Sequence, residues 1–215
     1  MAYRRTERES ARLAARHDAI VDAARAVASE GGLAAVQIAG VAERAGVAAG
    51  TVYRYFPSKE ELVAAVINDT ADRQVAAIRA ATAAAPGALS GLAAALMAFG
   101  TETLRTRRLA FAMLAESPDG AEGGSLIFRR NIGSEFEGLI RAAVAGGHLP
   151  EQPTAVMAAA VRGAMVESLA GPLVTPPSGV DAERAAVQRM TLFVLRALGV
   201  PDARARGLVV MAGVA

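Results

Sequence analysis

Alanine, leucine, isoleucine and valine recur along this chain at spacings of three and four, and they rarely alternate with polar residues at period two. Helical periodicity without strand periodicity predicts an all-α protein. From about residue 16 to 29, Ile20, Ala23, Ala24 and Val27 share one helical face, and Glu30-Gly31-Gly32 ends the run with flexible backbone. A short second helix is expected near 38–45. Gly46 then supplies a sharp turn, and a third helix carries Ala48-Ala49-Gly50-Thr51-Val52-Tyr53-Arg54-Tyr55-Phe56. Three short helices with a glycine turn between the second and third make a helix-turn-helix.

The fourth helix has the clearest start signal. Ser58 stands as N-cap with Glu61 three positions on, a capping box, and Pro57 and Leu62 are placed for a hydrophobic staple. No breaker follows until about residue 85, so this helix spans about 40 Å at 1.5 Å per residue and must connect two domains. Further helices are expected near 89–105, 108–116, 125–146, 155–173 and 181–198, separated by stretches rich in glycine and proline. The tail from 201 reads as a weak, disordered end. The division is therefore 1–57, a helix-turn-helix domain with an arm; 58–200, a helical domain; and 201–215, a tail.

Composition narrows the class. With 53% hydrophobic residues in 215, the chain has ample material for a core. No window reaches the roughly 18–20 apolar residues of a membrane span. There is no charged start followed by an apolar region that would mark secretion, so a soluble, cytoplasmic protein is expected. Cysteine is absent, which removes thiolate nucleophiles and thiolate metal sites. His17 and His148 are the only histidines, lack the spacing of a zinc helix or a triad, and are read as surface residues. Glu135 and Glu137, two apart, fall on different faces of a helix. An enzyme is not expected, nor a metal or cofactor.

The formal net charge is only +2, but Lys59 is the sole lysine, so the positive charge is carried by arginine. Arg4, Arg5, Arg8, Arg12 and Arg16 against Glu7 and Glu9 make a basic N-terminal arm, able to reach a polyanion or simply to lie solvated. Lys59 is informative by position. A lysine in the first turn of a helix opposes the macrodipole unless an anion meets both it and the free amides.

Residues 41–63, with the preceding helix, resemble the DNA-binding domain of the TetR family of bacterial transcriptional regulators. The likeness is carried by Ala42, Ala45-Gly46-Val47, Gly50, Tyr53, Tyr55-Phe56, Lys59 and Leu62, and covers about the first quarter of the chain. Val52 and Phe56 lie four apart and are expected to pack inward with Val41, Val47 and Leu62. The short polar face left over suits a major groove about 12 Å wide. Gly50 would let the backbone approach phosphate, and Thr51 and Tyr55 offer hydroxyls. The resemblance implies that Tyr55 and Lys59 contact phosphate and that Ala48, Ala49, Thr51 and Arg54 govern sequence reading. Tyr53 has two readings, a core aromatic against the first helix and a phosphate contact through its hydroxyl. Two departures stand out: Gln37 replaces the family's usual threonine, and Ala48 its frequent serine, so a cap or contact is missing at Ala48.

The resemblance further implies a homodimer on double-stranded operator DNA, since two half-sites lie about 34–36 Å apart or a multiple of it. The segments 154–174 and 182–199 offer a dimer surface, with Met165, Leu169, Met190, Phe193, Val194 and Leu198 as candidates. A small hydrophobic or amphipathic effector is expected between the fourth helix and that surface. Met97, Phe99, Phe111, Met113, Phe128 and Phe136 are its candidate apolar lining, and Glu102, Glu116, Arg129 and Asn131 its polar anchors. The expected activity is repression relieved by that effector. The alternative is a constitutive dimeric DNA-binding protein without a small-molecule response.

Overall fold

The structure, a computed structural model, describes residues 2–115 and 124–213. Among these it is helical with no strand: α1 (Ala2–Gly31), a 3-10 turn (Leu33–Ala35), α2 (Ile38–Arg44), α3 (Ala49–Tyr55), α4 (Lys59–Ala83), α5 (Ala88–Arg105), α6 (Arg107–Ala115), α7 (Gly124–Ala145), α8 (Thr154–Ala170), α9 (Val180–Ala197) and α10 (Asp202–Ala212).

Two ends differ from the sequence expectation. The basic arm is not a separate feature; α1 begins at Ala2 and runs through it unbroken. From residue 9 on, its first buried residue is Ile20, and residues 9–16 are exposed. The tail is also helical. Pro201 precedes α10 and fits a helix start, and Ala205 and Val209, four apart, are buried where α10 packs on α5 and α9. With only these two small residues buried, α10 shows too short an apolar stripe to read as a helix in the sequence. α8 stops at Ala170, three residues early, because Gly171-Pro172 cannot continue it. Arg107 at the start of α6 donates to the carbonyls of Leu169, Gly171 and Val174, so a guanidinium satisfies the end of α8 and ties α6 to it.

The N-terminal unit closes around Ile20, Ala24, Val36, Val41, Val52, Phe56 and Leu62, all buried. Between α2 and α3 the chain turns on Gly46 at φ 64°. The Val47 amide donates to the Ala42 carbonyl at 2.9 Å and the Gly46 amide to Glu43 at 3.1 Å, a Schellman closure that only a left-handed residue permits at low cost. At the start of α4 the Ser58 hydroxyl accepts the Glu61 amide at 3.1 Å, as the capping box requires.

α4 leaves this unit and packs against both α5 and α7, while α5 runs through the middle of the C-terminal bundle. Gly100 explains how α5 sits so close to α8 and α9: a Cβ there would lie 2.8 Å from Val187 Cγ1 and 2.9 Å from Met165 Cε. The halves are joined by side-chain contacts as well as by the continuity of α4. α6 lies against α1. In addition Asp22 and Arg25 of α1 interlock with Asp69 and Arg73 of α4, with Arg73 2.7 Å from Asp22 and 2.8 Å from Asp69. Hydrogen bonding to Asp69 is the main reason the Arg73 guanidinium holds its proton above the usual arginine value, against the cost of burial.

Candidate nucleic-acid interface

Whatever α3 does must be done by one side of seven residues. Val52 and Phe56 point inward and bury almost completely, each worth roughly 1.5–3 kcal/mol of hydrophobic stabilisation. At 100° per residue this leaves Ala49, Gly50, Tyr53 and Arg54 outward, and all four are exposed. Thr51 is half-buried.

The two tyrosines face opposite ways. Tyr53 is 53% exposed, so its reading as a core aromatic fails, and the phenol projects from the outer face. Tyr55 lies only 60° from Val52 around the helix, and its hydroxyl is buried with no hydrogen-bond partner. A buried hydroxyl is not on offer to phosphate. Its ring instead meets His17 edge-on at 6.3 Å, and His17 lies 5.1 Å from Phe56, so His17 is a half-buried packing residue of the unit and not a plain surface histidine. The Arg54 guanidinium stacks over the same Tyr55 ring at 5.6 Å, which holds it on the outer face.

Gly50 has nothing within 4 Å of the position its Cβ would occupy and no unusual φ. The missing side chain leaves the backbone at Gly50 open to close approach from outside. Ala48 is the N-cap of α3 and makes no side-chain cap bond, as its methyl group dictates.

Lys59 and Gln37 come together although 22 positions separate them in the chain. The Lys59 ammonium donates to the Ala34 carbonyl at 3.4 Å and the Gln37 amide donates to the same oxygen at 3.2 Å. Both bonds are long and therefore weak. The 3-10 turn, the N-terminus of α2 and the first turn of α4 thus gather two donors around one acceptor beside α3. An anionic oxygen is a better acceptor than that carbonyl, so the pair is poised to transfer.

The residues expected around an effector separate into two groups. Phe99, Met113, Phe128 and Phe136 are fully buried, with Phe99 and Phe136 meeting edge to face at 5.3 Å. Met97 is buried, and Glu102, Phe111, Arg129 and Asn131 are half-buried. Glu116 lies outside the described residues. Met97 and Glu102 also border a cleft of about 610 Å³ between α4, α5, α9 and the end of α10, floored by Ala77, Ala80, Ala81, Ala94 and Ala98. Arg162 of α8 donates to the Arg129 carbonyl at 2.8 Å, and burial first, then the Arg129 charge, lower its pKa.

Four of the six dimer candidates face inward. Met165, Leu169 and Val194 are buried within the chain itself, and so is Leu198, because α8 and α9 use those positions to pack on α5 and on each other. Phe193 is 57% exposed and Met190 half-buried. Two polar residues that the sequence reading passed over, Gln74 and Thr103, are buried with side-chain atoms that bond nothing. The signal for Gln74 was available: a glutamine interrupts the apolar stripe Ile67, Ala71, Ile78 of α4.

A compact helical unit with an exposed, arginine-bearing third helix on a longer helical domain defines a helix-turn-helix protein of two domains. Residues 20–66 match the family model described as bacterial regulatory proteins, tetR family. Over 58 residues the chain is 52% identical to the HTH-type transcriptional repressor KstR of Mycolicibacterium smegmatis, covering 27% of this chain and 28% of that protein. The chain thus spans little more than a quarter of that relative's length where they match. The fold as a whole is similar to the fatty acid degradation regulator FadR from Bacillus halodurans (TM-score 0.72, 23% identity, 86% of this chain and 97% of that one). It is also similar to FadR from Bacillus subtilis in complex with stearoyl-CoA (TM-score 0.62, 18% identity, 90% and 96%). The likeness to the tetR family of bacterial regulatory proteins is thus carried by the N-terminal unit, residues 20–66.

Proposed function

We propose that the protein is a homodimeric, cytoplasmic transcriptional repressor that binds operator DNA through α3 and leaves it when a small hydrophobic or amphipathic molecule enters the C-terminal domain. The observation that carries the DNA half is the convergence of Lys59 and Gln37 beside an exposed α3 whose Gly50 stands in open space. Arg54 and Thr51 read base edges, with Ala48 and Ala49 contributing only shape. Tyr53, Gln37 and Lys59 hold the backbone, and Tyr55 keeps α3 and Arg54 in place from behind. Similarity to a named repressor supports the direction of regulation. No described helix is long and apolar enough to cross a membrane.

Dimerisation through the outer faces of α8 and α9 would use Val156 and Phe193, which one chain leaves exposed, with half-buried Met190. The effector half rests on the shared fold with a regulator solved in complex with stearoyl-CoA. A ligand acts by favouring one of two arrangements, and a coupling of about 1–3 kcal/mol changes operator affinity roughly 5- to 150-fold. α6, which lies on α1 and is tied to the end of α8 by Arg107, and α4, which carries Lys59, are the two routes by which an internal change reaches α3.

The test is binding of the purified protein to DNA upstream of its own and neighbouring genes, at two salt concentrations, with and without a panel of apolar compounds. Specific binding abolished by one compound is the expected result. Specific binding that no compound affects would instead assign a constitutive regulator, and absence of specific binding would overturn the reading.

A further inference from the structure

Five polar side chains are buried in the core among the described residues: Thr70, Gln74, Thr103, Thr106 and Thr191, and none of the five is ionisable. Three are satisfied. Thr70 donates to the Val66 carbonyl, Thr106 to the Glu102 carbonyl, and Thr191 to the Met97 sulfur. Gln74, only 2% exposed, leaves both its amide nitrogen and its amide oxygen without a partner, and the Thr103 hydroxyl, 0% exposed, has none either. Native interiors seldom leave such groups unpaired, because a buried donor or acceptor that bonds nothing forfeits its hydration.

The Thr103 case is telling because a local remedy is at hand. Thr70, Thr82, Thr101 and Thr106 each turn their hydroxyl back onto the carbonyl four residues earlier. Thr103 forgoes that bond. The two unpaired groups also belong together in space. α4 and α5 are consecutive helices joined by a short connection, and their register is fixed where a Cβ on Gly91 would sit 3.2 Å from Thr82 Cγ2. Eight residues back from Thr82 is Gln74, and eight forward from Gly91 is Phe99. Thr103 is one further turn along α5, about 6 Å at 1.5 Å per residue. This register sets Gln74 level with Phe99, the fully buried ring that meets Phe136 edge to face, with Thr103 a turn beyond it.

We propose that Gln74 and Thr103 are the polar anchors of the effector site, and that they select a neutral ligand: an apolar body ending in a carbonyl, carboxamide or hydroxyl group. This rests on the inducible-repressor reading and narrows its effector. The primary amide of Gln74 offers a donor and an acceptor, and the hydroxyl of Thr103 offers either, so the pair complements a group with both. An ionised head is disfavoured because neither anchor carries a charge to compensate it. The amide is unpaired without ligand because its partner is the ligand, whose entry requires the Phe99–Phe136 contact to open.

The experiment uses the full chain with three probes that share one hydrocarbon body: octanamide, octanoate and octylammonium, titrated by calorimetry into wild type, Gln74→Leu and Thr103→Val. The expected result is that octanamide binds wild type at least about tenfold more tightly than either ion, and that Gln74→Leu removes this preference. The thermal midpoint of ligand-free Gln74→Leu should be equal to or above that of wild type, because leucine strands no polar atom. Thr103→Val, the milder change, should reduce octanamide affinity without lowering the midpoint. Equal binding of amide and carboxylate, failure of octanamide to bind wild type, or an amide preference that survives Gln74→Leu would each overturn the proposal. So would a lower midpoint for Gln74→Leu, which would mean that a structural water satisfies the amide. Operator release is read separately. Octanamide bound with the preference intact, on a protein that stays on its operator, would retain the anchors and reject the inducible repressor.

Discussion

α3 and α5 are both helices of a proposed site, yet they use the chain in opposite ways. α3 has seven residues, buries Val52 on one side and leaves the other open to a partner. α5 has eighteen, ten of them buried, and touches α4, α7, α8, α9 and α10. A helix with one free side announces its task by which residues it spends there. A helix enclosed on most sides hides its task among packing residues, where a working polar group differs from an ordinary one only by lacking a partner.

The contrast is broken most forcefully at Phe56. Phe56→Ala should cost about 3–5 kcal/mol, because the ring fills the space between α1 and α3 and cannot be replaced locally. Denaturant unfolding should show the N-terminal unit failing first, with operator binding lost even though no outward residue has changed.

A sharper test compares the two tyrosines. Tyr53→Phe should lower operator affinity about three- to tenfold, as loss of one hydrogen bond implies, and leave the thermal midpoint alone. Tyr55→Phe should do the reverse: affinity within about twofold of wild type, and stability equal or higher by up to about 1 kcal/mol, since its hydroxyl is buried unpaired. If Tyr55→Phe proved the more damaging to binding, the assignment of outward and inward faces of α3 would be wrong.

A smaller effect lies where α1 meets α2. The Arg44 guanidinium hydrogen-bonds Glu30 and holds its carboxyl below the ordinary glutamate value. A carboxylate with a depressed folded pKa adds stability above its unfolded pKa and loses it as pH falls through the folded value. Wild type should therefore exceed Glu30→Gln slightly at pH 7, and the gap should close below about pH 4. The effect is small because both groups are solvated. Thermal melts across that range provide the check, and a gap that widened toward acid would contradict the pairing.

Legibility followed the same division. The motif from Gly46 to Leu62 placed the turn, the cap at Ser58 and the inward pair Val52 and Phe56, because each depends on neighbours in sequence. Tyr53 and Tyr55 were harder. Two residues apart on so short a helix, they differ only in angle to Val52, and the hydroxyl does not say which side it is on. In the C-terminal domain the helices were legible from periodicity, but Met165, Leu169 and Val194 read as a surface for a second chain when their own chain already covers them. A helix pattern shows which side is apolar without showing what covers it. Gln74 interrupts the apolar stripe of α4 in the sequence itself, whereas its relation to Thr103 emerges only with α4 and α5 side by side.

The most direct test of the DNA-binding account is the salt dependence of specific operator binding for wild type and Lys59→Ala. Loss of one phosphate contact should lower affinity similarly on every sequence and reduce the slope of log affinity against log salt by about 0.9. An unchanged slope and affinity in Lys59→Ala would contradict the interface built here around Lys59, Gln37 and the outer face of α3.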